Sequence, residues 1–309
     1  MRILITPRSF GKSDPEVFRT LREAGLEMIL NDSGGILSRE DLIQRLRGCA
    51  GVILGVDPLD AGVLARAPEL RAVAKYGVGV DNIDLEECKR RGIKVSRTAG
   101  ANSDAVADYA FAMLLAAARR LTEIDAKCRR RDWSKLASLD VFGKTLGLLG
   151  LGAVGRGMAA RARGFGMRIL AHDVVWDDAY AAAAGIERAG PDRICAEADF
   201  ISVHAPLNDD TRGMIGRERL AAMKRTAVVV NTARGGIIDE EALLEALKRK
   251  AIYAAGVDAF EEEPPKNPDW YTLDNLILGS HSAASTNGAT EKMGRLAAAN
   301  LLRDLGLQE

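Results

Sequence analysis

The chain has 309 residues, above the roughly 250–300 at which a single hydrophobic core usually divides, so two domains are expected. Lys and Arg number 43 and so do Asp and Glu, giving a formal net charge of zero, which removes the electrostatic reason to expect nucleic acid or an anionic membrane as a partner. Cys49, Cys88, Cys128 and Cys195 form no Cys-x-x-Cys pair, and the three histidines do not cluster with them. That argues against a disulfide framework or a metal site and fits a reducing cytoplasm.

In chain order, Met-Arg-Ile-Leu-Ile-Thr at the start reads as a strand rather than a signal peptide. Short β-rich runs at 3–6, 28–30, 52–54, 72–74 and 94–96 alternate with the amphipathic stretches Pro15–Ala24 and Arg39–Leu46. A second series at 146–150, 168–171, 200–203, 227–230, 253–257 and 276–278 carries helix patterns at Gly155–Gly164 and Glu240–Arg249. This alternation predicts an α/β fold of parallel sheets with helices on both faces. Runs without polar interruption, such as Ala227–Val230, suit strands covered on both sides.

The stretch from Asn102 to about Arg130 breaks the rhythm. Asn102, Ser103 and Asp104 are helix N-cap types, and the residues after them are apolar almost all round, the pattern of a buried helix. The expected place for this helix is between domains or between subunits, with the first domain boundary just before it. Its apolar run, Tyr109–Ala118, is too short to span a bilayer. Ala289–Leu305 forms a second long helix pattern. The expected domains are 1–99 with 285–309, and 100–284.

The most specific local signal is Gly150-x-Gly152-x-x-Gly155, preceded by a strand pattern and followed by a helix pattern. Gly150 permits a tight turn, Gly152 lets the backbone approach a pyrophosphate, and Gly155 lets helix and strand pack closely. The next strand ends at Asp173, 18 residues past Gly155, where an acid can bind both ribose hydroxyls of NAD and repel a 2′-phosphate. No Arg follows directly, so NAD is favoured over NADP. The competing reading is a glycine-rich turn with no ligand.

Ligands of open α/β sheets sit at the carboxyl ends of the strands. Four strands after the glycine motif lead into polar residues: His204-Ala205-Pro206, Arg234 after Asn231-Thr232-Ala233, Asp258, and His281. Arg234, Glu263 and His281 make a chemically coherent trio. A histidine beside a carboxylate holds its proton more firmly and serves as an acid near neutral pH. An arginine can hold a 2-keto acid carboxylate and polarise its carbonyl. Against this, Glu263 lies in the acidic run Glu261-Glu262-Glu263, and such runs are usually solvated loops; Arg234 is placed to cap a helix or pair with Asp239.

From about Val52 to about Gly294 the sequence resembles the D-2-hydroxyacid dehydrogenase family, which includes the D-3-phosphoglycerate dehydrogenases. The motifs are Tyr76-Gly-Val-Gly-Val-Asp-Asn-Ile-Asp, Gly150-Leu-Gly-Ala-Val-Gly, Val203-His-Ala-Pro-Leu, Asn231-Thr-Ala-Arg-Gly-Gly, Val257-Asp-Ala-Phe-Glu-Glu-Glu-Pro-Pro and His281-Ser-Ala-Ala-Ser-Thr. The resemblance implies two doubly wound parallel-sheet domains, a flavodoxin-like substrate domain and a Rossmann NAD-binding domain, with the site in the cleft. It implies catalysis by Arg234, Glu263 and His281 on a small 2-hydroxy or 2-keto acid, 3-phosphoglycerate included. It implies cofactor contacts at Ala153, Val154, Asp173, His204, Ala205, Pro206, Thr232, Ala233, Ser282 and Ala283, with Asp258 on the nicotinamide carboxamide. Lys75, Tyr76, Val78, Gly79 and Asn102 fall at substrate-side positions, the amides of Val78 and Gly79 holding the carboxylate. A homodimer through the nucleotide domain is also implied.

Several positions depart from the family pattern. Arg97-Thr98-Ala99 stands where Asn-Thr-Pro is common, and Asp108 stands for the usual Glu. No Arg lies near Gly55, where phosphoglycerate-type members often place one, and Lys75 stands where another would be. Arg8, Lys75 and Arg97 are read either as a basic rim for a phosphate or second carboxylate, or as three solvated cations. The expected chain is a short form without a C-terminal regulatory extension. Two alternatives remain: an NAD(H)-sensing binding protein resembling corepressors on this scaffold, and a formate dehydrogenase. The second is disfavoured because Glu263 occupies the position where Gln would pair with the histidine.

Overall fold

The computed structural model describes residues 1–308, and the chain divides into Met1–Asn102 with the C-terminal segment from Ala284, and Ser103–Ala283. In the first unit, β1 (Arg2–Ile5), β2 (Glu27–Leu30), β3 (Cys49–Leu54), β4 (Ala72–Lys75) and β5 (Lys94–Arg97) form an all-parallel sheet in the order β2-β1-β3-β4-β5. They are joined by α1 (Glu16–Glu23), α2 (Arg39–Leu46), α3 (Ala61–Leu64) and α4 (Leu85–Arg90).

Alternate strand residues face opposite sides of a sheet, and both faces here are covered. Leu4, Val52, Leu54 and Val73 pack with Leu42 and Leu46 of α2 and with Val63 and Leu64 of α3. Ile3, Ile5, Ile53, Ala72 and Ala74 pack with Val17 and Leu21 of α1 and with Ala297, Ala298, Leu301 and Leu302 of the C-terminal helix Asn287–Leu305. The C-terminal helix therefore supplies one wall of the first unit's core. It lies so close that a Cβ on Gly51 would stand 2.9 Å from Leu301 Cδ1.

The second unit holds β6 (Thr145–Leu149), β7 (Arg168–His172), β8 (Ile186–Arg188), β9 (Phe200–Val203), β10 (Val228–Asn231), β11 (Ala254–Val257) and β12 (Leu276–Leu278). All are parallel, in the order β12-β11-β10-β9-β6-β7-β8. Its helices are α5 (Ser103–Ala118), α6 (Leu121–Arg129), α7 (Ala153–Gly164), α8 (Asp178–Ala184), α9 (Pro191–Glu197), α10 (Arg217–Ala222) and α11 (Glu240–Lys248); the C-terminal helix is α12. α5 and α7 cover one face, and α9, α10 and α11 cover the other. The winding reverses between β6 and β9, which opens a crevice beyond the carboxyl ends of those strands.

One expectation is corrected here. The 102–130 segment is two helices, broken at Arg120, whose φ is +51°. α5 buries Ala107, Ala110, Phe111, Met113, Leu114, Ala117 and Ala118 within the second unit's own core, against α7, β10 and β11. α6, with Glu123, Asp125, Lys127 and Arg129, buries no residue. β8 and α8–α10 were not anticipated, because segments of three to seven residues are too short for a periodicity to emerge. Among the described residues no helix is long and apolar enough to cross a membrane.

Leu301→Ala should cost about 2–5 kcal/mol, because it empties fully buried volume between α12 and the first sheet. Urea unfolding measures it; a loss below about 1 kcal/mol would show that α12 does not carry that core.

Candidate active site

The glycine turn has the shape that a dinucleotide requires. Gly150 has φ +106°, and a Cβ there would fall 2.6 Å from the His204 carbonyl carbon. A Cβ on Gly155 would fall 2.2 Å from the Gly150 oxygen, whereas the space around Gly152 is open to 4 Å. Gly152 caps α7 with no side-chain hydrogen bond, leaving the first amides, at Ala153, Val154 and Gly155, turned toward an anion at the positive end of the helix. Asp173 follows β7; its carboxylate accepts from Leu151 N at 2.6 Å and Val175 N at 2.9 Å. The acid is thereby fixed beside the turn. Thr232 Oγ1 is buried without a hydrogen-bond partner, a group that a bound polar molecule would satisfy. These features fit NAD.

The trio comes from three successive strand ends, all within the second unit. His281 Nδ1 lies 2.9 and 3.0 Å from the two oxygens of Glu263, and Phe260 N donates to Glu263 Oε1 at 3.1 Å. Partial burial pushes the Glu263 carboxyl up, but the bond to His281, aided by the Phe260 amide and the Arg234 charge, outweighs it and holds the group below the usual carboxylate range. The acidic run is therefore not simply a solvated loop: its third residue is bonded to His281.

Arg234 is set by an Asn turn after β10. Asn231 Oδ1 accepts from Ala233 N at 3.0 Å, and Asn231 Nδ2 donates to the Arg234 carbonyl at 2.8 Å. Asp239, the alternative partner for Arg234, instead caps α11 through Ala242 N at 2.9 Å. His281 sits at φ +55°, a conformation that a residue with a Cβ adopts only when held. Asp258 holds it. Its carbonyl accepts from His281 N at 2.9 Å, and its carboxylate accepts from Ser282 N at 3.0 Å and Ala283 N at 2.9 Å. Asp258 was expected on the nicotinamide carboxamide. It is wholly buried, and its two oxygens accept the amides of Ser282 and Ala283 and so brace this turn.

After β9, His204 Nε2 lies 2.8 Å from Ser202 Oγ. Burial pushes the His204 imidazole down to about 3, so it is neutral at the strand end beside Ala205 and Pro206. In the first unit, the Lys75 side chain is buried and its ammonium bonds the Gly55 carbonyl and Asn82 Oδ1. It is not a solvated cation, because the Gly55 carbonyl and the Asn82 side chain accept from it. Tyr76 donates its hydroxyl to the Thr290 carbonyl at 3.0 Å. The loop bearing Val78 and Gly79 is tied down by Thr98, whose Oγ1 accepts from Gly77 N at 2.8 Å. Asn102 ends this unit. Sequence reasoning missed Ser202 and Tyr109, whose hydroxyl faces Asp258; Asn231 was readable from its place before Thr-Ala-Arg, a spacing typical of side-chain-closed turns.

The strand order, the glycine cradle and a carboxylate-bound imidazole at the strand ends define a nicotinamide-dependent dehydrogenase. The profile for the D-isomer specific 2-hydroxyacid dehydrogenase NAD-binding domain matches residues 111–283. The chain is 42% identical over 273 residues to a glyoxylate reductase of Korarchaeum cryptofilum, covering 86% of this chain and 82% of the relative. It is 39% identical over 307 residues to a glyoxylate reductase of Thermococcus kodakarensis, covering 93% and 92%. A crystal structure of the TT0316 protein of Thermus thermophilus superposes with a TM-score of 0.92 at 38% identity, covering 100% and 98%. The D-lactate dehydrogenase of Aquifex aeolicus complexed with NAD and lactic acid gives 0.83 at 27%, covering 96% and 93%. This chain belongs to the D-isomer specific 2-hydroxyacid dehydrogenase family, and it is an NAD-dependent oxidoreductase interconverting 2-hydroxy and 2-keto acids.

His281→Ala should lower kcat by roughly two or more orders of magnitude and leave NADH affinity nearly intact; near-normal turnover would remove His281 from the mechanism. Glu263 has a depressed pKa in the folded chain, so its contribution to stability is complete above the unfolded value of about 4.3 and fades as pH falls through the folded one. The stability gap between wild type and Glu263→Gln should therefore shrink as urea unfolding is taken below about pH 4. A gap constant to about pH 2 would contradict the assignment.

Proposed function

We propose that the chain reduces a short, unphosphorylated 2-keto acid, glyoxylate or a near analogue, to the D-2-hydroxy acid, with Arg234, Glu263 and His281 as its catalytic residues. The observation that carries this is the His281–Glu263 pair beside Arg234 at the strand ends of the NAD-binding unit. The bound nicotinamide supplies the hydride. Arg234 holds the substrate carboxylate and draws electron density from the carbonyl. His281 gives the Nε2 proton to the alkoxide oxygen, while Glu263, on Nδ1, fixes the ring and balances the positive charge of its protonated form.

Gly150, Gly152, Ala153, Val154 and Gly155 take the pyrophosphate, Asp173 the ribose, and Thr232, Ala233, His204, Ala205 and Pro206 line the remainder. The amides of Val78 and Gly79, with Asn102, are the substrate-side contacts; Lys75 and Tyr76 hold the strand end from which that loop departs. The burial of Lys75 on Gly55 and Asn82 supports an unphosphorylated substrate, as do the glyoxylate reductases among the relatives. The D-3-phosphoglycerate dehydrogenase of Methanocaldococcus jannaschii, 39% identical, is matched over only 52% of its length. A homodimer through the second unit is supported by the exposed Leu121, Trp133 and Phe142. Four free cysteines are consistent with the cytoplasm.

A panel of 2-keto acids with and without a terminal phosphate, followed by NADH absorbance, tests the reading. The highest kcat/KM is expected for a two- or three-carbon unphosphorylated acid. Preference for a phosphorylated one would overturn the substrate class, and NADH binding without turnover of any acid would favour a sensor. Asp173→Ala should weaken NADH binding and relax discrimination against NADPH; an unchanged preference would show that the ribose acid lies elsewhere.

A further inference from the structure

One side chain reaches the His281 turn from behind the sheet. Tyr109 lies in α5, the helix that packs on β10, β11 and β12, and its ring joins the core of the second unit. Its hydroxyl is turned toward the Asp258 carboxylate. Gly279 marks where the two meet: a Cβ built there would lie 2.0 Å from Asp258 Oδ1 and 2.9 Å from the Tyr109 hydroxyl. Any side chain at 279 would wedge the phenol and the carboxylate apart from the turn.

Asp258 is wholly buried; its carboxylate accepts from Ser282 N and Ala283 N, and the Tyr109 hydroxyl faces it from α5. The two amides belong to the turn that the carboxylate braces, so they move with it. The hydroxyl is anchored in a different element and gives the carboxylate a fixed direction. His281 keeps its left-handed backbone only while the amides that come after it stay bound.

We infer that Tyr109 is a positioning residue for His281: its hydroxyl orients the Asp258 carboxylate, which holds residues 281–283 in the one turn geometry that keeps the imidazole on Glu263. This rests on the reading of His281 as the proton donor. Removing the hydroxyl leaves the carboxylate with donors only from the turn that it braces. The carboxylate then rotates or recruits water, the turn gains alternative geometries, and the ring drifts from the reacting oxygen, where small misplacements cost large factors in rate.

Tyr109→Phe in the full chain keeps the ring and deletes only the hydroxyl. With the preferred 2-keto acid, kcat should fall roughly five- to fiftyfold, while the NADH dissociation constant from fluorescence titration stays within about twofold. Amide hydrogen exchange should accelerate at Ser282 and Ala283 and not in β10. Tyr109→Phe combined with Asp258→Asn should be no slower than Asp258→Asn alone, as expected of two residues acting through one contact. A Tyr109→Phe kcat equal to wild type, unchanged exchange at 282–283, or multiplicative losses in the double variant would each overturn the inference. His281→Ala, run in parallel, separates the two claims. If it turns over normally the proton-donor reading fails, and exchange at 282–283 still decides whether Tyr109 holds the turn.

Discussion

The imidazole of His281 is gripped twice. Its ring is bonded by the Glu263 carboxylate, and its backbone and the two following amides are bonded by Asp258. These grips come from different loops. Glu263 fixes where the ring points but lies on a partly exposed segment, whereas Asp258 fixes the turn but does not touch the ring. Together they hold a residue with a Cβ at a positive φ, which costs free energy of order 1–3 kcal/mol. Strain of that size persists where surrounding bonds over-determine it, and such places cluster at functional sites.

Parallel strands make this concentration possible. In an all-parallel sheet every carboxyl end lies on one edge, so loops far apart in sequence open onto one crevice. β6 contributes the glycine turn, β7 Asp173, β9 His204, β10 Arg234, β11 Asp258 and Glu263, and β12 His281. The strands themselves are nearly featureless: the burial of Val228–Asn231 and Ala254–Val257 is complete along their length. Their chemistry lies at the ends because the interior is occupied by contacts with helices on both faces. The glycines serve the same close packing, with Gly150 and Gly155 letting backbone approach backbone at distances that no Cβ permits.

Much of the sheet framework is legible in the sequence. Every strand except β8 is readable there, because continuous apolar stretches bounded by Gly, Asp or Asn leave little choice of state, and the strand ends carry the polar residues that matter. What was illegible had a physical cause. The break at Arg120 lay inside one continuous helix-forming stretch, and propensity does not report a single left-handed residue. β8 and its neighbouring helices were too short for a period. Tyr109 read as part of an apolar face, since nothing local distinguishes a ring that only packs from one whose hydroxyl meets a buried carboxylate. Lys75 read either as part of a basic rim or as a solvated cation, because sequence gives charge but not the two acceptors, Gly55 and Asn82, that draw it inward.

The amino-acid order by itself determined the α/β class, the family and the glycine turn, and it offered Arg234, Glu263 and His281 as the candidate trio. All of these are written in contiguous motifs whose chemistry is local. The tertiary structure decided which carboxylate serves which purpose. Glu263 and Asp258 are both acids near the ends of buried strands, yet one meets the imidazole and the other is sealed beneath the turn. That assignment depends on how α5 packs on β11 and β12, strands more than a hundred residues further along the chain, and no short-range pattern encodes it.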